Sequence, residues 1–337
     1  MVTHKKAIVC ILLVVTLTAC QEFRQSSAAP PEPESSATPG QQAVALAMVS
    51  EARQLQAQGK PEDALAAFER AISENPKLTE AHMGMGDVFR QQEDYGQASA
   101  AYRSAILTDP NSYEARYFYG LTAQLTGRLG TAIESYKRAL IIDPSSFAAN
   151  LYMASAYLQG GKAQDALPYA QRAIELSADS QAAWATLGSV HSLMGNYHEA
   201  VEAYRQTLEL GDPLTPILLG LADAHLRLGN YQRAETALRV ALRNEPDAVV
   251  SERLGYCLYR QSRYEEGVEA YQQSLDADPD NITTLNGMGT CQMALYLVTG
   301  ADDEPVRIRA LNYWRRSLDL DASQTMLIDQ ISRFAKE

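Results

Sequence analysis

Little in this sequence offers a place for chemistry. No glycine-rich phosphate loop, no His-Glu-x-x-His, no Cys-x-x-Cys pair and no nucleophile elbow occurs along its 337 residues. That removes the compact signatures of nucleotide binding, zinc hydrolysis, thiol exchange and serine hydrolysis. Scattered triads escape such a scan, but nearly every residue here is already used by the repeat described below. Basic residues are scarce as well: 29 Lys and Arg stand against 41 Asp and Glu, a formal net charge of −12. A body so charged repels polyphosphate, which excludes nucleic acid as an expected partner and argues against docking of the folded part on anionic lipid. Long apolar runs are also missing. The uncharged stretch Ala7 to Ala19 has thirteen residues, too short for a bilayer span of roughly 20.

That short run is the right length for a signal-peptide core, and His4, Lys5 and Lys6 supply the positive start. Leu17-Thr18-Ala19-Cys20 closes it. These four residues resemble a bacterial lipobox, which implies cleavage before Cys20 and lipidation of that cysteine at the new N-terminus. The competing reading is an ordinary secretory signal or an uncleaved anchor in which Cys20 is incidental. Gln21 rather than aspartate follows the cysteine, and by the same resemblance the outer membrane, facing the periplasm, is favoured. A single acyl chain holds only marginally, so an anchor with several chains is implied. Residues 20–40, with Pro30-Pro31-Glu32-Pro33-Glu34 and Pro39-Gly40, bury too little apolar surface to fold and read as a disordered tether.

The remainder is repetitive. From Tyr113, the residues Tyr119-Gly120, Gly127, Ala132, Tyr136, Ala139 and Pro144 fall at positions 7, 8, 15, 20, 24, 27 and 32. The same spacings restart at Ala45, Thr79, Phe147, Gln181, Thr215, Ala248 and Ile282. Position 8 is always small: Ala52, Gly86, Gly120, Ala154, Gly188, Ala222, Gly255 and Gly289. Position 24 carries Phe68, Tyr102, Tyr136, Tyr204 and Tyr271, with Ala170 and Leu238 departing from the pattern. Prolines at 76, 110, 144, 246 and 279 stop five of the second helices, Ala178 and Asp212 standing in their place after the fourth and fifth units, and glycines at 127, 161, 195 and 229 sit in the turns within units.

This pattern resembles the tetratricopeptide repeat, a 34-residue helix-turn-helix unit. The resemblance implies an all-α, right-handed superhelical solenoid of about eight repeats over residues 41–322. The eighth unit is interrupted: its small and aromatic pair, Ala310 and Trp314, comes nine residues late, which defines an insert at 295–309 containing Ala301-Asp302-Asp303-Glu304-Pro305. Those carboxylates read as a helix start more readily than as a cation site. Ser323 is the expected N-cap of a capping helix over 323–337, with Leu327, Ile328, Ile331 and Phe334 on one apolar face. Pro168, inside a second helix, marks the expected place of irregular curvature.

Two matched pairs could carry chemistry. His191 and His225 share position 11, and Cys257 and Cys291 share position 10. Both positions are packed ones in other units, so core residues are expected rather than a metal site or a disulfide. No cofactor, metal or small-molecule substrate is implied. The functional surface is then the groove lined by first helices, where the family resemblance puts positions 2, 5, 9 and 12. In this chain they give Tyr117, Leu121, Leu151, Leu158, Tyr256 and Tyr259 as partner-binding residues, an apolar, tyrosine-bearing surface suited to a peptide segment. Some relatives clamp a C-terminal carboxylate there with Lys, Asn and Arg. Matching positions here hold Met83, Asp87, Tyr117, Leu121, Leu151 and Ser155, and the clamp is missing. The expected function is a membrane-anchored scaffold of the bacterial envelope, resembling lipoproteins that assist pilus or secretin assembly or recruit cell-wall hydrolases. Its partners are envelope proteins, with the membrane held through Cys20. The alternative expectation is glycan binding or catalysis at the 295–309 insert.

Overall fold

The computed structural model describes residues 37–300 and 302–335; the expected signal peptide, Cys20 and the tether up to residue 36 lie outside them. Among the described residues there are seventeen α-helices and no strand. The first helices of the units are α1 (Pro39–Ala57), α3 (Thr79–Gln91), α5 (Tyr113–Leu125), α7 (Phe147–Gln159), α9 (Gln181–Met194), α11 (Thr215–Arg227), α13 (Ala248–Arg260) and α15 (Ile282–Val298). The second helices are α2 (Pro61–Glu74), α4 (Tyr95–Thr108), α6 (Leu129–Ile142), α8 (Ala163–Leu176), α10 (Tyr197–Leu210), α12 (Tyr231–Asn244), α14 (Tyr264–Ala277) and α16 (Glu304–Leu320), and α17 (Thr325–Phe334) closes the array. Each helix packs on the one before and the one after, and α7 touches α9, α9 touches α11 and α13 touches α15. Contacts confined to neighbours define a superhelical solenoid, whose core is a continuous strip rather than one centre.

Local chemistry sets the boundaries. Five second helices, α2, α4, α6, α12 and α14, end two residues before a proline, because the residue preceding proline is pushed out of the helical region. α8 and α10 end at the same register although Ala178 and Asp212 stand in place of proline. Next, the side chains of Ser112, Ser146, Ser180, Asp247 and Asn281 each accept a hydrogen bond from the third backbone N–H of the following first helix. Such caps stabilise a helix start by about 1 kcal/mol each. In the turns within units, Gly59, Gly127, Gly161, Gly195 and Gly229 all have φ between +69° and +82°.

Position 24 explains position 8. The ring of Tyr102, Tyr136, Tyr204, Tyr271 or Trp314 lies flat on the small residue of its own unit, so that a Cβ added at Gly86, Gly120, Gly188, Gly255 or Gly289 would meet it at 2.4 to 2.8 Å. Glycine occurs where the partner is Tyr or Trp; alanine (Ala52, Ala154, Ala222) occurs where the partner is Phe68, Ala170 or Leu238. The same rings press on position 6 of the next unit. A Cβ on Gly84, Gly220 or Gly287 would fall 2.2 to 2.6 Å from Phe68, Tyr204 or Tyr271, whereas Phe118 and Tyr152 at that position stack on Tyr102 and Tyr136 at 5.5 and 6.4 Å.

The structure departs from the sequence expectations in several details. α1 begins at Pro39 rather than at 41, because Thr38 and Gln41 form a capping box, with Gln41 N–H donating to Thr38 Oγ1 at 3.3 Å and Thr38 N–H donating to Gln41 Oε1 at 3.0 Å. Pro39-Gly40 therefore belong to the first turn of α1, not to the tether. Most of the insert at 295–309 is helical: α15 and α16 have 17 residues each, against 13 and 14 in the preceding unit. Ser323 does not cap the last helix. Its hydroxyl donates to Asp321 at 2.7 Å, and the N-cap of α17 is Gln324, whose amide donates to the carbonyls of Ser317 and Asp321 at 3.0 Å. On α17, Leu327, Ile331 and Phe334 pack against Trp314 and its neighbours, while Ile328 points outward. Helix α8 runs through Pro168, its sixth residue, without interruption.

Candidate binding groove

First helices line an open cleft of about 930 Å³ that spans α7, α9, α11, α13 and α15. Its apolar part is Leu158, Leu193 and Leu226, with Tyr197, Tyr204 and Tyr256 adding rings. Side chains reach it by helical periodicity: Ser189, Asp223 and Tyr256 are all at position 9, and Leu158 and Ser192 at position 12. Tyr204 contributes only its rim, because the ring is buried under the helices while the hydroxyl lies 3.2 Å from Ser189 Oγ. Related contacts recur along the array. Tyr102 donates to Asp87 at 2.7 Å, and Tyr136 donates to Gln124, which in turn donates to Ser155 at 3.2 Å. Core rings thus fix the orientation of polar groups on the groove floor.

One end of the cleft is ionic. Arg253 donates to Glu252 at 2.7 Å, and its Nε lies 3.1 Å from Asp223 in an ion contact without an aligned hydrogen bond. Glu252 is 8% exposed. Burial pushes the carboxyls of Glu252 and Asp223 upward, and Arg253 opposes this in both. Leu238, in place of a ring at position 24, precedes Arg253 at position 6, where other units hold glycine, an aromatic residue, serine or threonine. Two departures from the repeat therefore converge on this corner of the groove.

The residues expected from the sequence fall in three settings. Leu158 and Tyr256 line the cleft, with Tyr256 accepting from Arg260 at 2.7 Å. Tyr117 is half-buried among Tyr113, Phe118, Tyr136 and Tyr152, with ring centroids 5.0 to 6.1 Å away, and burial raises its phenol above the usual range. Tyr259 is partly buried, its ring 5.8 Å from that of Tyr264. Leu121 and Leu151 are partly buried and lie outside this cleft. Cys20 is outside the described residues. Asp223, Glu252 and Arg253 were missed by sequence reading, though the charged pair at 252 and 253 breaks the small or apolar habit of positions 5 and 6.

His225 is buried, and its Nδ1 has no hydrogen-bond partner; burial lowers its pKa. Cys257 and Cys291 are free and buried, donating to the carbonyls of Tyr231 and Tyr264 at 2.8 and 3.2 Å, and burial pushes their thiols up to about 11 and about 12. Among the described residues no group of three or more His, Cys, Asp or Glu could hold a metal ion, and no helix is long and apolar enough to cross a membrane.

Comparison with known families agrees with this geometry. Tetratricopeptide-repeat profiles match residues 49–98, 83–147, 186–248 and 219–282, with a second profile of the same description covering 123–190. The chain belongs to the tetratricopeptide repeat family. Similar solved structures include a tetratricopeptide repeat protein from Parabacteroides merdae (16% identity, TM-score 0.55, 73% of this chain and 98% of that one). Pseudomonas aeruginosa PilF is another (17%, 0.53, 63% and 96%). A third is YrrB, described as a tetratricopeptide protein with an unusual peptide-binding site (20%, 0.50, 58% and 98%). At these identities the likeness is one of fold. No curated protein sequence matches the chain. An array of this class is a protein–protein interaction scaffold.

Proposed function

We propose that this chain is a lipid-anchored adaptor of the bacterial envelope that holds a segment of a partner protein in the cleft between α7 and α15. The cleft itself carries the reading: an open, apolar trough with a fixed polar floor and one ionic end has the makeup of a peptide-binding surface. The protein performs no reaction of its own in this reading. Anchoring rests on Leu17-Thr18-Ala19-Cys20 after an apolar run, with the outer membrane favoured by Gln21. The fold likeness to YrrB, a tetratricopeptide protein described as having a peptide-binding site, is compatible with a chain that binds peptides, and pilus, secretin or cell-wall machinery is the partner class of this reading.

A photo-crosslinking amino acid placed at Leu158 or Tyr256 in the intact protein, in cells, tests the groove. Both positions should capture the same partner, and Glu209, exposed on a second helix, should not. Equal capture from Glu209, or none from the groove, would discard the reading. For the anchor, Cys20→Ala should abolish fatty-acid labelling and leave a longer precursor. Undiminished labelling of the variant would rule out lipidation at Cys20.

A further inference from the structure

Two features outside the groove also depart from the repeat. Position 29, on the outer face of the second helices, holds Ser73, Glu175, Glu209, Arg243 and Asp276 in five units, but Leu107 and Ile141 in the second and third. These two aliphatic side chains are 75% and 72% exposed. Beside them lies a cleft of about 480 Å³ between α4, α5 and α6, lined by Ile106, Leu107, Tyr119, Arg103, Arg116 and Arg138. Glu134 pairs with Arg138 at 2.8 Å, leaving an excess of positive charge. Burial lowers the pKa of Arg116, and nearby Arg138 adds to this while Glu134 and Asp109 oppose it. The net charge of −12 conceals this basic, apolar corner.

The second feature has the opposite polarity. The extra turns of α15 and α16 carry Leu297 and Val298, 50% and 69% exposed, next to Asp302, Asp303 and Glu304. Arg307, at the base of this tip, is engaged by Glu304 and by the Phe334 carbonyl, and Arg309 stands one turn into α16. Exposed aliphatics rimmed by charge mark interaction surfaces.

We propose that the α15–α16 tip of one copy seats in the α4–α5–α6 cleft of a second copy, with Leu297 and Val298 covering Leu107 and Ile141 and the tip carboxylates meeting the arginines. Apolar surface faces apolar surface, and charges are complementary. The tip lies five units from the cleft along the stack, so the contact is between chains. Because tip and cleft are different surfaces, the contact is head-to-tail and gives rings or open chains rather than a closed dimer. A tip and a cleft of this size fall below a standard interface, so association is weak and salt-sensitive. This inference does not depend on the groove reading.

The test uses the full chain carrying Leu107→Cys and Val298→Cys together, oxidised mildly in cells and run without reductant. Dimers, trimers and higher bands are expected, whereas either single substitution stops at dimers. Adding Arg103→Glu and Arg138→Glu should cut the ladder about tenfold, given two charge contacts converted to repulsion, and Asp302→Arg with Asp303→Arg should restore it. All these positions are exposed, and an unchanged circular dichroism melt certifies each variant as folded. Sedimentation of the unsubstituted chain should show a lower average mass at high salt than at low salt. A ladder no longer than that of the single variants, a ladder indifferent to charge reversal, or a salt-independent mass would each refute the proposal.

Discussion

A hydrogen atom is the largest side chain that the Tyr136 ring permits at residue 120. An added Cβ there would lie 2.8 Å from the ring, and overpacking a rigid buried site destabilises by roughly 1–3 kcal/mol. Gly120→Ala should therefore lose stability of that order in denaturant titration. In the Tyr136→Leu background the same change should cost far less, because Ala222 and Leu238 already form that combination in this chain. A coupling below about 0.5 kcal/mol in the double-mutant cycle would mean that the ring does not set the residue at position 8. The turns give a change of opposite sign. Glu93 and Ser262 occupy position 15 with φ of +61° and +60°, where five other units place Gly59, Gly127, Gly161, Gly195 and Gly229. A left-handed residue costs roughly 1–2 kcal/mol, of which glycine's greater unfolded freedom takes back about 0.5–1. Ser262→Gly and Glu93→Gly should each stabilise by about 0.5–1 kcal/mol, raising the denaturant midpoint without altering its slope.

Within α13, Glu252 is the element's one charge held almost out of water. Burial raises its pKa, so the fold prefers the protonated form; the stability tied to that proton is full below the ordinary glutamate range near 4.5 and is lost as pH rises through the folded value. Glu252→Gln should raise the melting temperature at pH 7 by a few degrees, as a buried-charge change of about 1 kcal/mol would. The gain should vanish towards pH 4. His225 runs the other way, losing stability as pH falls below 6.5, but it is common to both proteins and cancels in the difference. A gain unchanged between pH 7 and 4 would deny that the proton matters. If partner binding weakens in the same variant, the buried charge is retained for recognition rather than for folding.

Helix number and register were readable because positions 8, 20, 24 and 32 act within one unit. The contacts that shape the groove act between units, and a single unit's spacing does not display them. Tyr117 illustrates this: its position is a groove position, yet Tyr113, Phe118, Tyr136 and Tyr152 close around it. The late Ala310 and Trp314 pair was visible, but spacing alone does not distinguish an inserted loop from added helical turns. Ser323 looked like an N-cap on residue type, and the Gln324 amide bonds to Ser317 and Asp321 moved the start of α17 by one residue.

At the scale of the whole molecule, the absence of a common centre dictates how damage spreads. In a stack, stability is a sum of unit and interface contributions, so an injury is felt by its own unit and the two beside it. Gly86→Val, pressed against Tyr102, and Gly255→Val, pressed against Tyr271, lie five units apart. Amide exchange should accelerate in α1 to α6 for the first and in α11 to α16 for the second, leaving the opposite end of the array protected. The two losses should add within about 0.5 kcal/mol in the double variant. Uniform loss of protection from either change would instead require one cooperative core, which contacts limited to neighbouring units do not supply.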